Sequence, residues 1–334
     1  MNFPGCDSIL NALAVVAMTN RGPSPFPLQC APAAIISRDI ALTAIHHDYA
    51  SVNGVRLHYA HAGQGPLILF LHGFPEFWYC WKKQLEDFGR DHFAVAPDLR
   101  GFNLSDRPAD VKQYKARILI EDIRQLAEHL GHKKFVLVAH DWGGAVAWGY
   151  AMAHPQTLRK LVIVNSPHPV PFPRELAHNP AQAAASQYMN LLRSDKAERV
   201  LSENNYERLV KMTLEGRGRG AVDPAEKALY VEAWSQPGAL TGSLNYYRAS
   251  PLYPPTGDDP GAKAVQLDPA DFMVRVPTLV VWGMLDRALL PGNLEGLDTC
   301  VPDLRIERLP NASHWVMHEE PERLNRLIRE FIGA

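Results

Sequence analysis

Residues 135–144 read FVLVAHDWGG, and residues 145–155 continue AVAWGYAMAHP. The opening run, Phe135 to Ala139, is apolar without interruption, as a strand buried on both faces of a parallel sheet must be. It breaks at His140 and Asp141, two glycines follow, and a small-residue helical pattern takes over. This is a strand–turn–helix in which Ala139 and Gly143 flank Asp141 by two residues on each side. A turn that sharp lifts its central residue above the edge of the sheet, and its crowded backbone tolerates only small neighbours. In the better-known form of this elbow the central residue is serine. Here it is aspartate, and no G-x-S-x-G occurs in the chain. Taken alone, Asp141 also suits a helix N-cap; motifs elsewhere in the chain decide between the two.

Outward from the elbow the same rhythm recurs. PLILFLHG (66–73), FAVAPD (93–98), LVIVNS (161–166), TLVVWG (278–283) and LRIERL (304–309) are further strand-like runs. Helical patterns lie between most of them: Leu119, Ile123, Leu126, Ala127 and Leu130 share one face, as do Leu324, Leu327, Ile328 and Phe331. Asn53-Gly54, set among β-branched and aromatic residues, signals a hairpin over residues 46–60. The alternation predicts an α/β fold, a parallel sheet with helices on both faces. It stops between residues 167 and 273, which open with SPHPVPFP, continue with helical segments and include the breaks EGRGRG and TGDDPG. An insertion of that length predicts a mostly helical cap over residues 167–273, on a core of residues 45–166 and 274–334. The RGRG arginines read as part of a solvated loop.

Apolar residues make up 46% and charged residues 21% of the 334, which excludes general disorder. Thirty-four basic against 36 acidic residues leave no electrostatic footprint for nucleic acid. No apolar run is long enough to span a membrane. Cys6, Cys30, Cys80 and Cys300 are scattered, so neither a zinc site nor a disulfide framework is expected. Residues 1–44 read as an N-terminal extension, an arm or a disordered tail. Its apolar run, residues 9–18, has Asp7 and no Lys or Arg before it, which argues against an export signal and leaves the cytoplasm as the default compartment. A homodimer is left open.

Together with HGFPE (72–76), DLRGFNLSDRP (98–108), NYYR (245–248), VVWGMLD (280–286) and NASHW (311–315), the AHDWGG elbow resembles the α/β-hydrolase superfamily over residues 46–334. Within it the match is to the aspartate-nucleophile branch of epoxide hydrolases and haloalkane or haloacetate dehalogenases. The resemblance implies a mostly parallel eight-stranded sheet with an inserted helical cap. It makes Asp141 the nucleophile, His314 the base, Asp286 the acid that supports it, and the Phe74 and Trp142 backbone N–H groups the oxyanion hole. Tyr247 and, through a looser pattern, Tyr188 match the ring-opening tyrosines of epoxide hydrolases, with Tyr246 the neighbour most easily mistaken for one. The alternative acid position, after the strand LVIVN, carries Asn165, which has no charge to supply. Asp98, Arg100 and Asp106 read as a loop held by ion pairs and hydrogen bonds. Glu76 and His140 fall near the expected site with no chemical step assigned.

These residue types suit one reaction. An epoxide carbon needs an in-line nucleophile, and a carboxylate is already ionised at neutral pH. The leaving oxygen departs as a strongly basic alkoxide that a phenol can protonate. The ester left on the aspartate then needs an activated water, which a histidine oriented by a second carboxylate provides. The resemblance therefore implies a small apolar epoxide and water as the reactants, a diol as product, and no metal or organic cofactor. A dehalogenase would share the aspartate, but its weakly basic halide needs N–H donors, commonly an Asn where Phe74 stands, and fluoroacetate dehalogenases usually carry Arg where Trp142 stands. A ligand-binding relative without turnover would usually have lost a triad member, and all three are present.

Overall fold

The structure, a computed structural model, describes residues 44–218 and 222–333. The extension expected over residues 1–44, with Cys6 and Cys30, lies outside the described residues apart from its last position. Eight strands form one sheet: β1 (His46–Val52), β2 (Val55–Ala62), β3 (Leu67–Leu71), β4 (Phe93–Pro97), β5 (Phe135–His140), β6 (Leu158–Val164), β7 (Thr278–Gly283) and β8 (Leu304–Leu309). Their order is β1-β2-β4-β3-β5-β6-β7-β8, with β1 and β2 antiparallel to their neighbours and the rest parallel. β1 and β2 close on the expected turn, where Asn53 and Gly54 both take positive φ.

The sheet's two faces follow from the twofold alternation of side chains along each strand. Val136 and Val138 of β5 point to the face covered by α1 (Lys82–Phe88) and the terminal α11 (Pro321–Ile332). Leu137 and Ala139 point to the other, where α2 (Ala116–His129) and α3 (Asp141–Ala153) pack. The amphipathic stripes at 119–130 and 324–331 are the buried sides of α2 and α11.

Between β6 and β7 the chain runs through α4 (Pro171–His178), α5 (Pro180–Ala185), α6 (Tyr188–Arg193), α7 (Ala197–Thr213), α8 (Pro224–Ser235) and α9 (Ala239–Ala249). α7 is broken at Asn204, Asn205 and Tyr206, all in the left-handed region. Leu176, Leu209, Tyr230 and Leu244 of this insertion share one hydrophobic cluster with Leu137 and Trp282 of the sheet. The short α10 (Val316–Glu319) precedes α11.

Two buried polar clusters lock the pieces together. Arg100 makes a bidentate pair with Asp122 of α2 at 2.6 and 2.7 Å, and both bond Asn53 in the β1–β2 turn. Asp98 instead bonds His58, the Trp78 N–H and Asn103, while Asp106 accepts from the Arg56 N–H. The 98–108 loop is thus tied both to its surroundings and to itself, with Ser105 Oγ donating to the Asp98 carbonyl and Arg107 to the Asn103 and Ser105 carbonyls. In the second cluster Glu76, wholly buried, accepts from the Tyr230 hydroxyl and meets His318 at 3.0 Å and Arg217 at 3.3 Å. Arg217 corrects the reading of RGRG as a solvated loop. Its side chain is 7% exposed because it joins Glu76 of the core to Glu226 of α8. Arg219 lies outside the described residues. Burial alone would raise the Glu76 carboxyl, but His318 and Arg217 hold it near 2.

Arg100→Ala strips one partner from a buried ion pair and should cost about 3–5 kcal/mol, read as a lower denaturant midpoint at unchanged slope. Glu76 titrates from a usual 4.5 unfolded to about 2 folded, so its contribution is complete above 4.5 and disappears as the pH falls toward 2. Glu76→Gln should therefore be less stable than the parent at neutral pH and lose less stability across that acid window, as measured by denaturant titrations at several pH values.

Candidate active site

The loops after β3, β5, β6, β7 and β8 converge at the carboxyl ends of the strands, where open α/β sheets assemble their sites. Asp141 follows β5 directly at φ 48°, a left-handed conformation rare for a residue with a side chain. The surroundings hold it there. A Cβ on Gly143 would run into the backbone carbonyls of Leu71 and His72, and a Cβ on Gly73 would strike the Asp141 carboxylate itself. With both absent, the loop after β3 lies against the carboxylate, and the Phe74 N–H donates to Asp141 Oδ1 at 2.8 Å. Ser166 Oγ donates to the Asp141 carbonyl at 2.7 Å. Burial pushes the Asp141 carboxyl up; His314 and the Phe74 and Trp142 N–H groups oppose this without cancelling it.

Asp286 and His314 come from the loops after β7 and β8. His314 Nδ1 lies 2.7 Å from Asp286 Oδ2, and its Nε2 faces Asp141 Oδ2 at 3.8 Å. Asp286 is fully buried and satisfied: Oδ1 accepts from the Ala288 and Leu289 N–H groups at 2.8 and 2.9 Å. Burial would lower His314, yet Asp286 first and Asp141 second raise it to about 9. His140, beneath it, is buried and held neutral, and donates from Nε2 to the His314 carbonyl at 3.0 Å.

Sequence reasoning set Asn165 aside for want of a charge, and the structure gives it another task. Its amide donates to Asp286 Oδ2 at 2.7 Å and its carbonyl accepts from the Gly283 N–H at 2.8 Å. Thus Asn165 fixes which Asp286 oxygen turns to His314. Its positive φ of 39° is the trace such a position leaves in the backbone, and asparagine is among the residues that tolerate it.

The tyrosines come from the insertion. Tyr247 on α9 is buried against Phe74 and Trp142, with ring centroids 5.3 and 5.0 Å away. Tyr188, at the start of α6, meets Tyr247 at 6.4 Å between centroids. Burial and the nearby carboxylates raise both phenols, so they keep their protons. Tyr246 points elsewhere, its hydroxyl donating to the Arg100 carbonyl at 3.0 Å. Arg193, which sequence reasoning did not single out, joins α6 to the end of α9 by donating to the Tyr247 and Ser250 carbonyls. Asp141, Phe74, Tyr188, Tyr247, Asp286 and His314 line one cavity of about 1020 Å³. Asp141, Tyr188 and Tyr247 also border a second of about 100 Å³.

A family model for the alpha/beta hydrolase fold matches residues 66–321. Among similar proteins, epoxide hydrolase 3 of Xenopus tropicalis is 36% identical over 94% of this chain and 85% of its own length. The AB hydrolase superfamily protein YfhM of Bacillus subtilis is 36% identical over 85% of this chain and 96% of its own. The crystal structure of Bacillus megaterium epoxide hydrolase in complex with an inhibitor superposes with a TM-score of 0.79 at 36% identity, over 86% of this chain and all of that one. No helix among the described residues is long and apolar enough to cross a membrane. Sheet order, elbow and kinship agree: the chain belongs to the α/β-hydrolase family, on the branch that holds the epoxide hydrolases.

Proposed function

We propose that this chain opens epoxides to vicinal diols through an ester on Asp141, with residues 167–273 acting as a cap over a core of residues 45–166 and 274–334. The observation that carries the reading is that a restrained carboxylate and two protonated phenols line one cavity. Asp141 attacks an epoxide carbon with its free oxygen while the Phe74 and Trp142 N–H groups hold the other. The carbon–oxygen bond of the ring breaks, and Tyr247, assisted by Tyr188, gives the alkoxide a proton.

The resting charge suits this step. His314 at about 9 is an imidazolium at neutral pH, paired with two carboxylates. Esterification erases the Asp141 charge and with it one of the interactions that hold the imidazolium proton. That proton restores the tyrosine, leaving His314 neutral beside an ester. Neutral His314 then takes a proton from water, and the hydroxide adds to the Asp141 carbonyl carbon. The oxyanion develops at the oxygen facing Phe74 and Trp142. Collapse breaks the acyl–oxygen bond; the departing alkoxide takes the proton of the new carboxyl group and leaves as the diol, restoring the Asp141 carboxylate beside the His314 imidazolium.

His314→Gln should leave ester formation measurable and cut steady-state turnover by about 10³-fold, with the chain heavier by one substrate in rapid-quench mass spectrometry. Full turnover without that adduct would exclude His314 as the base. Tyr247→Phe should slow ester formation about 100-fold without slowing ester hydrolysis, as read in single-turnover traces. The pH profile of kcat/KM should fall on the acid side, as the Asp141 carboxylate gains its proton at a pH above the ordinary aspartate value, and again near 9, as His314 loses its proton in the free protein. The alkaline limb should be missing from the single-turnover profile of His314→Gln.

A further inference from the structure

We infer that Gln182, on α5 of the insertion, is a positioning residue for the second half of the reaction: its side-chain amide holds residues 288–290, and these hold the Asp286 carboxylate on which His314 depends. The inference rests on the proposed ester mechanism. Gln182 and Ser186 are wholly buried, and the proposed chemistry uses neither. A buried primary amide has two donors and an oxygen with two lone pairs to satisfy. Here all four are met. Nε2 donates to the Ala288 carbonyl at 2.7 Å and to Ser186 Oγ at 2.8 Å, while Oε1 accepts from the Leu290 N–H and from Asn293 Nδ2, both at 2.8 Å. Turning the amide over would set its NH₂ against the Leu290 N–H and its oxygen against the Ala288 carbonyl, so the partners fix its orientation.

These bonds alternate with those of Asp286 along one short stretch. The Ala288 N–H donates to Asp286 Oδ1, and the Ala288 carbonyl accepts from Gln182. The Leu289 N–H donates to Asp286 Oδ1, and the next N–H, that of Leu290, donates to Gln182. Residues 288–290 are thus stitched between the two side chains, and Asp286 Oδ1 has its backbone donors only while that stretch keeps its shape. Oδ2, on the other side of the carboxylate, meets Asn165 and His314. A looser 288–290 lets the carboxylate swing away from the imidazole. The anchor is firm on its own side too. Asn179 Oδ1 caps the start of α5 by accepting from the Ala181 and Gln182 N–H groups, and Arg174 of α4 donates to the Gly292 and Glu295 carbonyls of the same loop. The insertion therefore serves both halves of the proposed reaction, with its tyrosines in ring opening and with Gln182 in ester hydrolysis.

Gln182→Met keeps the length of the side chain and removes all four bonds. In rapid-quench mass spectrometry with styrene oxide, ester hydrolysis should slow at least about tenfold while ester formation stays within about twofold of the native rate. The alkaline limb of kcat/KM, expected near 9 in the native chain, should move down by about one pH unit, because Asp286 is the first of the groups that hold the His314 proton. The other charged or titratable groups around His314 are Asp141, Glu76, the neutral His140, and Arg287 and Glu319 along the cavity; Gln182 bonds none of them. In an Asp286→Asn background, Gln182→Met should add less than about twofold to the loss in hydrolysis, whereas a general loosening of the insertion would add its full factor. If Gln182→Met does not fold, Asn293→Ala carries the same test: it removes only the loop's side-chain bond to that amide and should give the same changes at smaller size. Both steps slowed alike, an unmoved alkaline limb, or full additivity with Asp286→Asn in a folded variant overturns the inference while leaving the ester mechanism standing. A native chain that forms no adduct on Asp141 sinks the proposed function, and this inference with it.

Discussion

The Phe74 N–H meets Asp141 Oδ1 across a gap that two glycines keep open, and much of the molecule answers to that contact. Gly143 lets the turn after β5 pass beneath the carbonyls that end β3, and Gly73 lets the loop after β3 lie on the carboxylate. A methyl group at either position would drive the two loops apart. The left-handed conformation of Asp141 is sustained by the same closeness, since strain at one residue persists only when its surroundings over-determine it. The carboxylate thereby has one oxygen engaged and one free, which is the polarity the proposed displacement needs.

Around that carboxylate the charges are arranged in series. Asp286, buried and given donors by Asn165 and two backbone N–H groups, cannot turn. His314 stands between it and Asp141, so the imidazole is held up from both sides. The consequence is a base whose strength depends on the chemical state of the nucleophile: an ester at Asp141 removes one of its two anions. A neutral histidine beneath, bonded only to the His314 backbone, steadies the loop without adding charge.

How much of this the sequence disclosed depends on where each signal resides. Strands, the Asn53-Gly54 turn and the elbow are local patterns, and they assemble into the mostly parallel eight-stranded sheet that the resemblance implied. Asp141, Phe74, Trp142, Asp286 and His314 were legible as candidates because their surrounding motifs are short and contiguous. The parts that stayed hidden owe their roles to partners far along the chain. Asn165 acts on Asp286, more than a hundred residues later, and Arg217 is buried where it joins Glu226 to Glu76, which lies far earlier in the chain. Tyr246 and Tyr247 are indistinguishable by composition. Successive residues on a helix diverge by about 100°, so one reaches the Arg100 carbonyl and the other packs against Phe74 and lines the cavity that holds Asp141.

The proposed acid for ring opening comes from the insertion and the nucleophile from the sheet, and this division has a physical reason. In-line displacement requires nucleophile and leaving group on opposite sides of carbon, so donors rising from the same loops as Asp141 would reach the wrong face. An inserted layer can supply the opposite face, provided that it is fixed to the core. Here Arg193 ties the two tyrosine-bearing helices to each other, Trp234 of α8 donates to the Pro75 carbonyl, and Tyr230 and Arg217 engage the buried Glu76. Pro75 and Glu76 directly follow Phe74, so the insertion grips the very loop whose N–H holds Asp141. The two faces of the proposed reaction are thus positioned by one set of contacts, and the distance between carboxylate and phenols is set by the same bonds that seat the insertion on the sheet.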